Sequence, residues 1–155
     1  MLRFIRREDL PRLVEIDQVC HPHPCTLTQF EDLLRSGVWG VLIDLDGEIL
    51  GYTLASVNVD YMDVLNIAVS PKARRSGLGI LLLLALLTQA KSCGCYKVML
   101  EVRISNANAF SLYRWAGFEL VGRRYRYYYN VTPSGPRNYE DALVMKCLLG
   151  EDLDL

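Results

Sequence analysis

Along the chain, the pattern of apolar and polar residues changes repeatedly between one typical of strands and one typical of helices. Short runs of branched and aliphatic residues, such as residues 65–69, favour strands. Longer stretches place apolar residues near helical spacing, as Leu10, Leu13, Val14 and Ile16 do. The predicted strands cover residues 2–6, 38–44, 48–58, 61–69, 96–103, 118–128 and 141–149, and the predicted helices cover residues 8–20, 26–35, 77–92 and 106–116.

Turn signals divide these elements without separating the chain into domains. Asp46-Gly47 favours a type I′ hairpin, and Pro133, Gly135 and Pro136 mark a loop over residues 129–139. With 155 residues and 51% apolar content, the chain is large enough for one core. We therefore predict one α/β domain over residues 1–155, with its core at about 2–149 and a mixed sheet at its centre.

Charge and cysteine content narrow the class of protein. The formal net charge is −1, so any contact with nucleic acid or an acidic membrane would need a local patch. The apolar run 78–87 is shorter than the roughly 20 residues that span a bilayer, which favours a buried helix. The N-terminal residues lack the layout of a signal peptide, and five irregularly spaced cysteines fit reduced thiols. These features predict a cytoplasmic protein that does not enter a membrane.

A strand, a basic glycine turn and an apolar helix follow one another over residues 65–87. Ser70-Pro71 ends the strand, and Gly77 and Gly79 open the helix. The free N–H groups of a helix start bind anions, and glycines allow a ligand to approach them, so the turn is built like a phosphate cradle. A surface turn with two solvated arginines is the alternative. The spacing excludes a Walker loop, and Leu82 stands where a dinucleotide fingerprint needs its third glycine.

This segment resembles the acetyl-CoA signature of the GNAT N-acetyltransferase superfamily, with Arg74, Gly77 and Gly79 at its defining positions. The resemblance implies the GNAT fold, a mixed, mostly antiparallel sheet of about seven strands flanked by about four helices. It also implies acetyl-CoA as co-substrate, with no metal. The implied cofactor-binding residues are the strand backbone at Ile67, Ala68 and Val69, and the turn and helix start at Arg74, Arg75, Ser76, Gly77, Leu78, Gly79 and Ile80.

Two residues of the stretch 100–118 could carry chemistry. Glu101 is a carboxylate on an alternating strand, and Tyr113 shares a helix face with Ala109 and Phe110. From the residues alone, we favour a solvent-facing glutamate beside Arg103 for Glu101 and a core aromatic for Tyr113. Transfer of an acyl group from a thioester to an amine needs a base for the amine proton and an acid for the thiolate. A carboxylate and a tyrosine hydroxyl can fill these two roles.

The stretch 100–118, the Arg/Tyr run 124–128 and residues 140–145 together resemble the RimI-type subgroup, the ribosomal-protein N-terminal alanine acetyltransferases. The resemblance extends over nearly the whole chain, from about residue 2 to 148. It implies that Glu101 is the general base, that Tyr113 is the general acid, and that Asn106 contacts the cofactor from the start of its helix. The implied substrate is the N-terminal amine of a protein such as a ribosomal protein.

Two further motifs have alternative interpretations. Residues 20–25 place two cysteines and two histidines within six positions, but two prolines and the absence of a second ligand pair argue against zinc. We interpret the segment as a loop between the first two helices, and the resemblance to the RimI-type subgroup implies that its His23 and Pro24 contribute to a peptide groove. Residues 123–129 interleave arginines with tyrosines, which could bind nucleic acid. We favour a substrate groove containing Tyr127 and Tyr128 instead.

Three functions remain open on this evidence. The favoured one is a protein N-terminal acetyltransferase. The second is an acetyltransferase of the same fold for lysine or for a small amine, such as a polyamine or an aminoglycoside. The third is a non-catalytic module that binds CoA or RNA, against which the presence of both Glu101 and Tyr113 argues.

Overall fold

The computed structural model describes residues 1–130 and 138–150, and these residues form seven strands and four helices. The strands are β1 (Leu2–Phe4), β2 (Trp39–Leu45), β3 (Glu48–Val57), β4 (Tyr61–Val69), β5 (Lys97–Arg103), β6 (Glu119–Asn130) and β7 (Asn138–Leu148). The helices are α1 (Leu10–Cys20), α2 (Leu27–Arg35), α3 (Leu78–Ser92) and α4 (Ala107–Trp115). The predicted fold class is therefore confirmed.

Several boundaries differ from those predicted. A single 3₁₀ turn, Arg7–Asp9, precedes α1, because the Asp9 carboxylate accepts the Arg6 N–H at 2.7 Å and fixes this turn before the helix begins. The strands β6 and β7 continue into the predicted loop 129–139 as far as Asn130 and from Asn138. Pro133, Gly135 and Pro136 of that loop lie outside the described residues.

The sheet is split between β4 and β5. Its strand order is β1-β2-β3-β4-β5-β7-β6, and every neighbouring pair is antiparallel except β4 and β5. In the described part of the chain these two strands pair only where residues 61–63 meet residues 97–99. A bulge in β4 near Leu65, where the register to β3 shifts, increases the local twist. Past this point β4 and β5 separate and leave a gap.

Helices cover the two faces of the sheet unequally. On one face α1 and α2 pack on β2–β4 around Leu13, Phe30 and Tyr52. On the other face α3 and α4 cover the centre of the sheet, and alternate residues of β5 (Val98, Leu100 and Val102) are buried there. The opposite residues of β5, which include Glu101, are only partly buried. The predicted alternation of β5 is thus confirmed.

The apolar run at 78–87 lies in α3, and its Leu82, Leu83 and Leu86 are buried against the sheet. This confirms the prediction of a buried helix. Among the described residues, no helix has the length and apolar character needed to cross a membrane.

Candidate active site

A cavity of about 290 Å³ occupies the gap between β4 and β5, and we call it the cleft. Its lining combines residues from five separate parts of the chain. The predicted site residues among them are His23, Ile67, Glu101, Asn106, Tyr113 and Tyr128. The fold therefore brings both predicted catalytic side chains to one cavity, although they lie on different elements, β5 and α4.

The edge of β4 presents free backbone groups to the gap. The Ser70 N–H donates to the Leu50 carbonyl at 2.8 Å, and antiparallel pairing alternates from residue to residue. The peptide groups of Ala68 therefore face β3, while those of Ile67 and Val69 point away from β3 towards the gap. The Val69 carbonyl accepts a hydrogen bond from the Cys20 thiol at 3.3 Å. The other groups can bind an extended ligand in the manner of an added strand.

The glycine turn before α3 has an open left-handed conformation. Gly77 has φ +81°, and a Cβ built there would meet nothing within 4 Å. Arg75 has φ +66°, and Arg74 Nη2 lies 3.5 Å from Cys20 Sγ. The unpaired N–H groups at the start of a 15-residue helix can bind an anion here. The geometry therefore fits the predicted pyrophosphate cradle.

Gly79 also has a role in packing, which the sequence did not predict. A Cβ at this position would lie 3.3 Å from Cδ2 of Leu112 on α4. The absence of a side chain at Gly79 thus lets α3 and α4 approach closely. That contact also positions α4, whose first residues line the cleft.

Glu101 has an ion-pair partner that the sequence did not indicate. Its Oε1 accepts a hydrogen bond from Arg124 Nε at 2.6 Å, and its side chain is 25% exposed. Arg103, the neighbour considered from the sequence, pairs instead with Glu140 at 3.1 Å. Glu101 also borders a second, larger cavity, which is lined by strand residues of β4–β7.

Tyr113 is almost completely buried, with 6% of its surface exposed. Its ring packs on Phe118 with the centroids 5.9 Å apart, and burial raises the pKa of its phenol above the usual value. Within the described part of the chain, the hydroxyl has no hydrogen-bond partner. Tyr113 therefore remains protonated at neutral pH, with its hydroxyl available to the cleft.

Comparison with known proteins identifies the fold and the family. Residues 5–118 match the acetyltransferase (GNAT) family model. The chain belongs to the GNAT family. The ribosomal protein bS18-alanine N-acetyltransferase of Salmonella typhimurium is 32% identical, with 93% of this chain and 94% of that protein aligned. The protein of the same name from Haemophilus influenzae is 35% identical, with 91% and 93% aligned.

A solved structure agrees with these relatives. The ribosomal-protein-S18-alanine N-acetyltransferase of Escherichia coli superposes with a TM-score of 0.85 at 30% identity, covering 99% of this chain and 97% of that one. The predicted family resemblance is therefore confirmed. This GNAT protein is an acetyl-CoA-dependent N-acetyltransferase.

The predicted substrate residues lie at three places in the GNAT fold. His23 is exposed at the cleft with its ring centroid 6.3 Å from that of Tyr129, and Tyr128 lines the same cleft. Burial raises the pKa of Tyr128 to about 12. Tyr127 lies on the second cavity, and Pro24 is partly buried outside the described lining of either cavity.

A buried polar network beside the cleft was missed by sequence reasoning. Asp17 on α1 is 1% exposed, and its carboxylate accepts hydrogen bonds from Tyr52 Oη at 2.7 Å, Asn66 Nδ2 at 3.0 Å and the Cys25 N–H at 2.7 Å. His21 Nε2 lies 3.1 Å from Asn66 Oδ1. One signal was available in the sequence, since Leu10, Leu13 and Asp17 follow i, i+3, i+7 spacing on one helix face.

The network accounts for part of the motif at residues 20–25. His21 contacts Asn66, the Cys25 backbone contacts Asp17, and the Cys20 thiol contacts Val69. Across the residues that the structure describes, no three His, Cys, Asp or Glu side chains are grouped to hold a metal ion. All five cysteines are free thiols.

Proposed function

We propose that this enzyme acetylates the N-terminal α-amine of a protein, with the N-terminal alanine of ribosomal protein bS18 as the substrate. The observation that carries the proposal is the meeting of Glu101 and Tyr113 in one cleft, beside the free edge of β4. Similar enzymes from three bacteria act on bS18-alanine according to their names. A ribosomal substrate would place the reaction in the cytoplasm.

Acetyl-CoA would bind along β4 and the start of α3. The Ile67 peptide groups and the Val69 N–H would pair with the pantetheine arm, and the backbone from Arg74 to Ile80 would hold the pyrophosphate. Asn106 caps α4, with its Oδ1 accepting the Ala109 N–H at 3.2 Å, and also lines the cleft. Its position fits the predicted cofactor contact.

Glu101 would act as the general base. An α-amine has a pKa of about 8, so most of it is protonated and non-nucleophilic at neutral pH. The Glu101 carboxylate can remove this proton directly or through a water molecule. The neutral amine then attacks the thioester carbonyl, and the backbone N–H groups of β4 at the gap can stabilise the oxyanion.

Tyr113 would act as the general acid. The nitrogen of the tetrahedral adduct loses its second proton to solvent, and collapse of the adduct breaks the carbon–sulfur bond and releases a thiolate whose thiol has a pKa of about 8.5. The Tyr113 hydroxyl, which has no partner among the described residues, can donate its proton to that sulfur. His23, Pro24, Tyr127 and Tyr128 would contact the peptide substrate.

The charge distribution gives less support to the two alternative functions, acetylation of a polyamine and binding of nucleic acid. A polyamine site needs unpaired acidic groups, but Glu140 pairs with Arg103 and Asp141 pairs with Arg123. Nucleic-acid binding needs unpaired cations, but Arg123 and Arg124 each contact a carboxylate.

A direct assay separates these substrate classes. The enzyme is incubated with acetyl-CoA and a peptide that begins with the N-terminal alanine of bS18 and contains one internal lysine. Matched controls are the same peptide with a blocked N-terminus, and a polyamine. We expect acetylation at the alanine amine alone, located by mass spectrometry. Acetylation of only the lysine or only the polyamine would refute the proposed substrate.

A further inference from the structure

Glu101 stands in the wall between two cavities. One is the cleft, and the other is a cavity of about 640 Å³ over β4–β7, on the part of the sheet face that α1 and α2 leave uncovered; we call this second cavity the groove. Residues of β4, β5, β6 and β7 line the groove. The Glu101 carboxylate is therefore accessible to charged groups on the groove side that the proposed mechanism does not use.

Arg124 reaches Glu101 across an intervening strand. β7 lies between β5 and β6, and the residues in register are Val144 opposite Glu101 and Ala142 opposite Arg124. Because these side chains are small, the Arg124 side chain can lie over β7 and donate from Nε to Glu101 Oε1 at 2.6 Å. Its guanidinium also lies 5.6 Å from the ring centroid of Tyr127.

The backbone next to Arg124 is fixed by an irregularity in β6. The register to β7 shifts between Arg124 and Tyr128, and Arg126 adopts φ +52°. The Arg126 N–H donates to Asp141 Oδ1 at 2.8 Å, which anchors the irregular segment to β7. The segment thus begins immediately after the residue that contacts the carboxylate.

Asp63 brings a charge of the opposite sign to the same groove. It pairs in register with Met99, two residues before Glu101 on the same face of β5. Burial and the negative charge of Glu101 raise the pKa of Asp63 above its usual value. At the far end of the groove Lys97 lies over the ring of Tyr61, with Nζ 5.4 Å from its centroid.

We propose that Arg124 is a positioning residue that holds the Glu101 carboxylate in place between the cleft and the groove, and that the negative charge of Asp63 opposes this contact. The inference rests on the proposed role of Glu101 as general base. Arg124 stabilises the anion through a charge-assisted hydrogen bond, whereas Asp63 repels it.

Other titratable groups face Glu101 from the cleft side. They are His21 and His23 from the segment between α1 and α2, Tyr113 from α4, and Tyr128 from β6, with the buried Asp17 behind them. Arg103 also lines the cleft and pairs with Glu140. These groups and the substrate amine are the same in every variant described below. Differences between the pH profiles of the variants therefore measure the effect of the groove-side residues on Glu101.

The test compares pH profiles of kcat/KM for the parent enzyme and three variants. Arg124→Gln should move the midpoint of the acid limb up, because the charge-assisted hydrogen bond to the Glu101 carboxylate is lost. Asp63→Asn should move it down, because a repelling charge is removed. Arg124→Lys keeps the charge and should restore most of the shift. Unchanged midpoints, or shifts of the same sign in Arg124→Gln and Asp63→Asn, would overturn the inference.

The single variant Glu101→Gln separates this inference from the proposed function. If Glu101→Gln retains full activity, the proposed base is wrong. If Glu101→Gln loses activity while Arg124→Gln leaves the profile unchanged, only the role of Arg124 fails. Acetyl-CoA affinity, measured by calorimetry, should be the same in Arg124→Gln and the parent, because Arg124 lies away from the glycine turn and lines only the groove.

Discussion

Replacement of Tyr113 by phenylalanine separates its proposed acid role from its packing role. The ring is 94% buried and packs on Phe118, and the variant keeps that ring. Since the hydroxyl has no partner among the described residues, its removal should cost less than about 0.5 kcal/mol of stability. Turnover should nevertheless fall by about 10²–10⁴-fold, the usual contribution of a general acid.

Tyr113→Ala is the matched control for packing. Removing a buried aromatic ring costs about 3–5 kcal/mol, which corresponds to a fall in Tm of about 6–20 °C for a chain of this size. Differential scanning fluorimetry should therefore place the phenylalanine variant near the parent and the alanine variant far below it. Both variants must be assayed below the Tm of the alanine variant.

Two kinetic measurements test the acid itself. Release of free thiol gives turnover, and an acyl donor with a more acidic thiol should show a smaller loss in Tyr113→Phe, because a better leaving group needs less proton donation. Burial raises the pKa of Tyr113, so loss of its proton should not reduce activity until the pH exceeds about 10. Normal turnover in Tyr113→Phe would refute the acid assignment.

Three other perturbations test separate parts of the structure. Gly77→Asp should weaken acetyl-CoA binding far more than Gly77→Asn, because both residues tolerate the left-handed backbone but only aspartate repels a pyrophosphate. Equal affinities of the two variants by calorimetry would contradict pyrophosphate binding at this turn. Glu101→Gln should slow transfer by about 10²–10⁴-fold at pH 7 with partial rescue at high pH, and parent-like rates throughout would make Glu101 structural. Arg3 and the Arg6 N–H lower the pKa of Asp9 in the folded protein. The ionised Asp9 therefore stabilises the fold above about pH 4, and this stabilisation is lost as the pH falls through the lowered pKa of the folded state. Stability should consequently fall less steeply with acid in Asp9→Asn than in the parent.

The secondary structure could be predicted because its determinants are local. The Asp46-Gly47 turn, the cap at Thr26 and the glycine before α3 each fix an element boundary within a few residues. The alternation of β5 likewise placed Glu101 opposite the buried Val98 and Leu100. Local signals failed at Leu10, because the start of α1 depends on contacts of Asp9 with Arg3 and Arg6.

The site was less predictable because its contacts join distant parts of the chain. Glu101 and Arg124 are 23 residues apart, and their contact depends on the order β5-β7-β6, which places small residues of β7 between them. Periodicity assigns a residue to a face of a strand but does not say which strand lies beside it. The sequence therefore favoured Arg103 as the neighbour of Glu101, whereas the fold gives Arg103 to Glu140.

The Asp17 network shows how an irregular residue in a regular pattern becomes part of a site. A carboxylate on the buried face of a helix is costly unless hydrogen bonds stabilise it. Here the donors come from β3, from β4 and from the segment after α1, through Tyr52, Asn66 and Cys25. Through these hydrogen bonds, Asp17 links the segment around His23 to the bulged part of β4. The hydrogen bonds to the Asp17 carboxylate thus fix two walls of the cleft relative to each other. An apolar residue at this position could not form them.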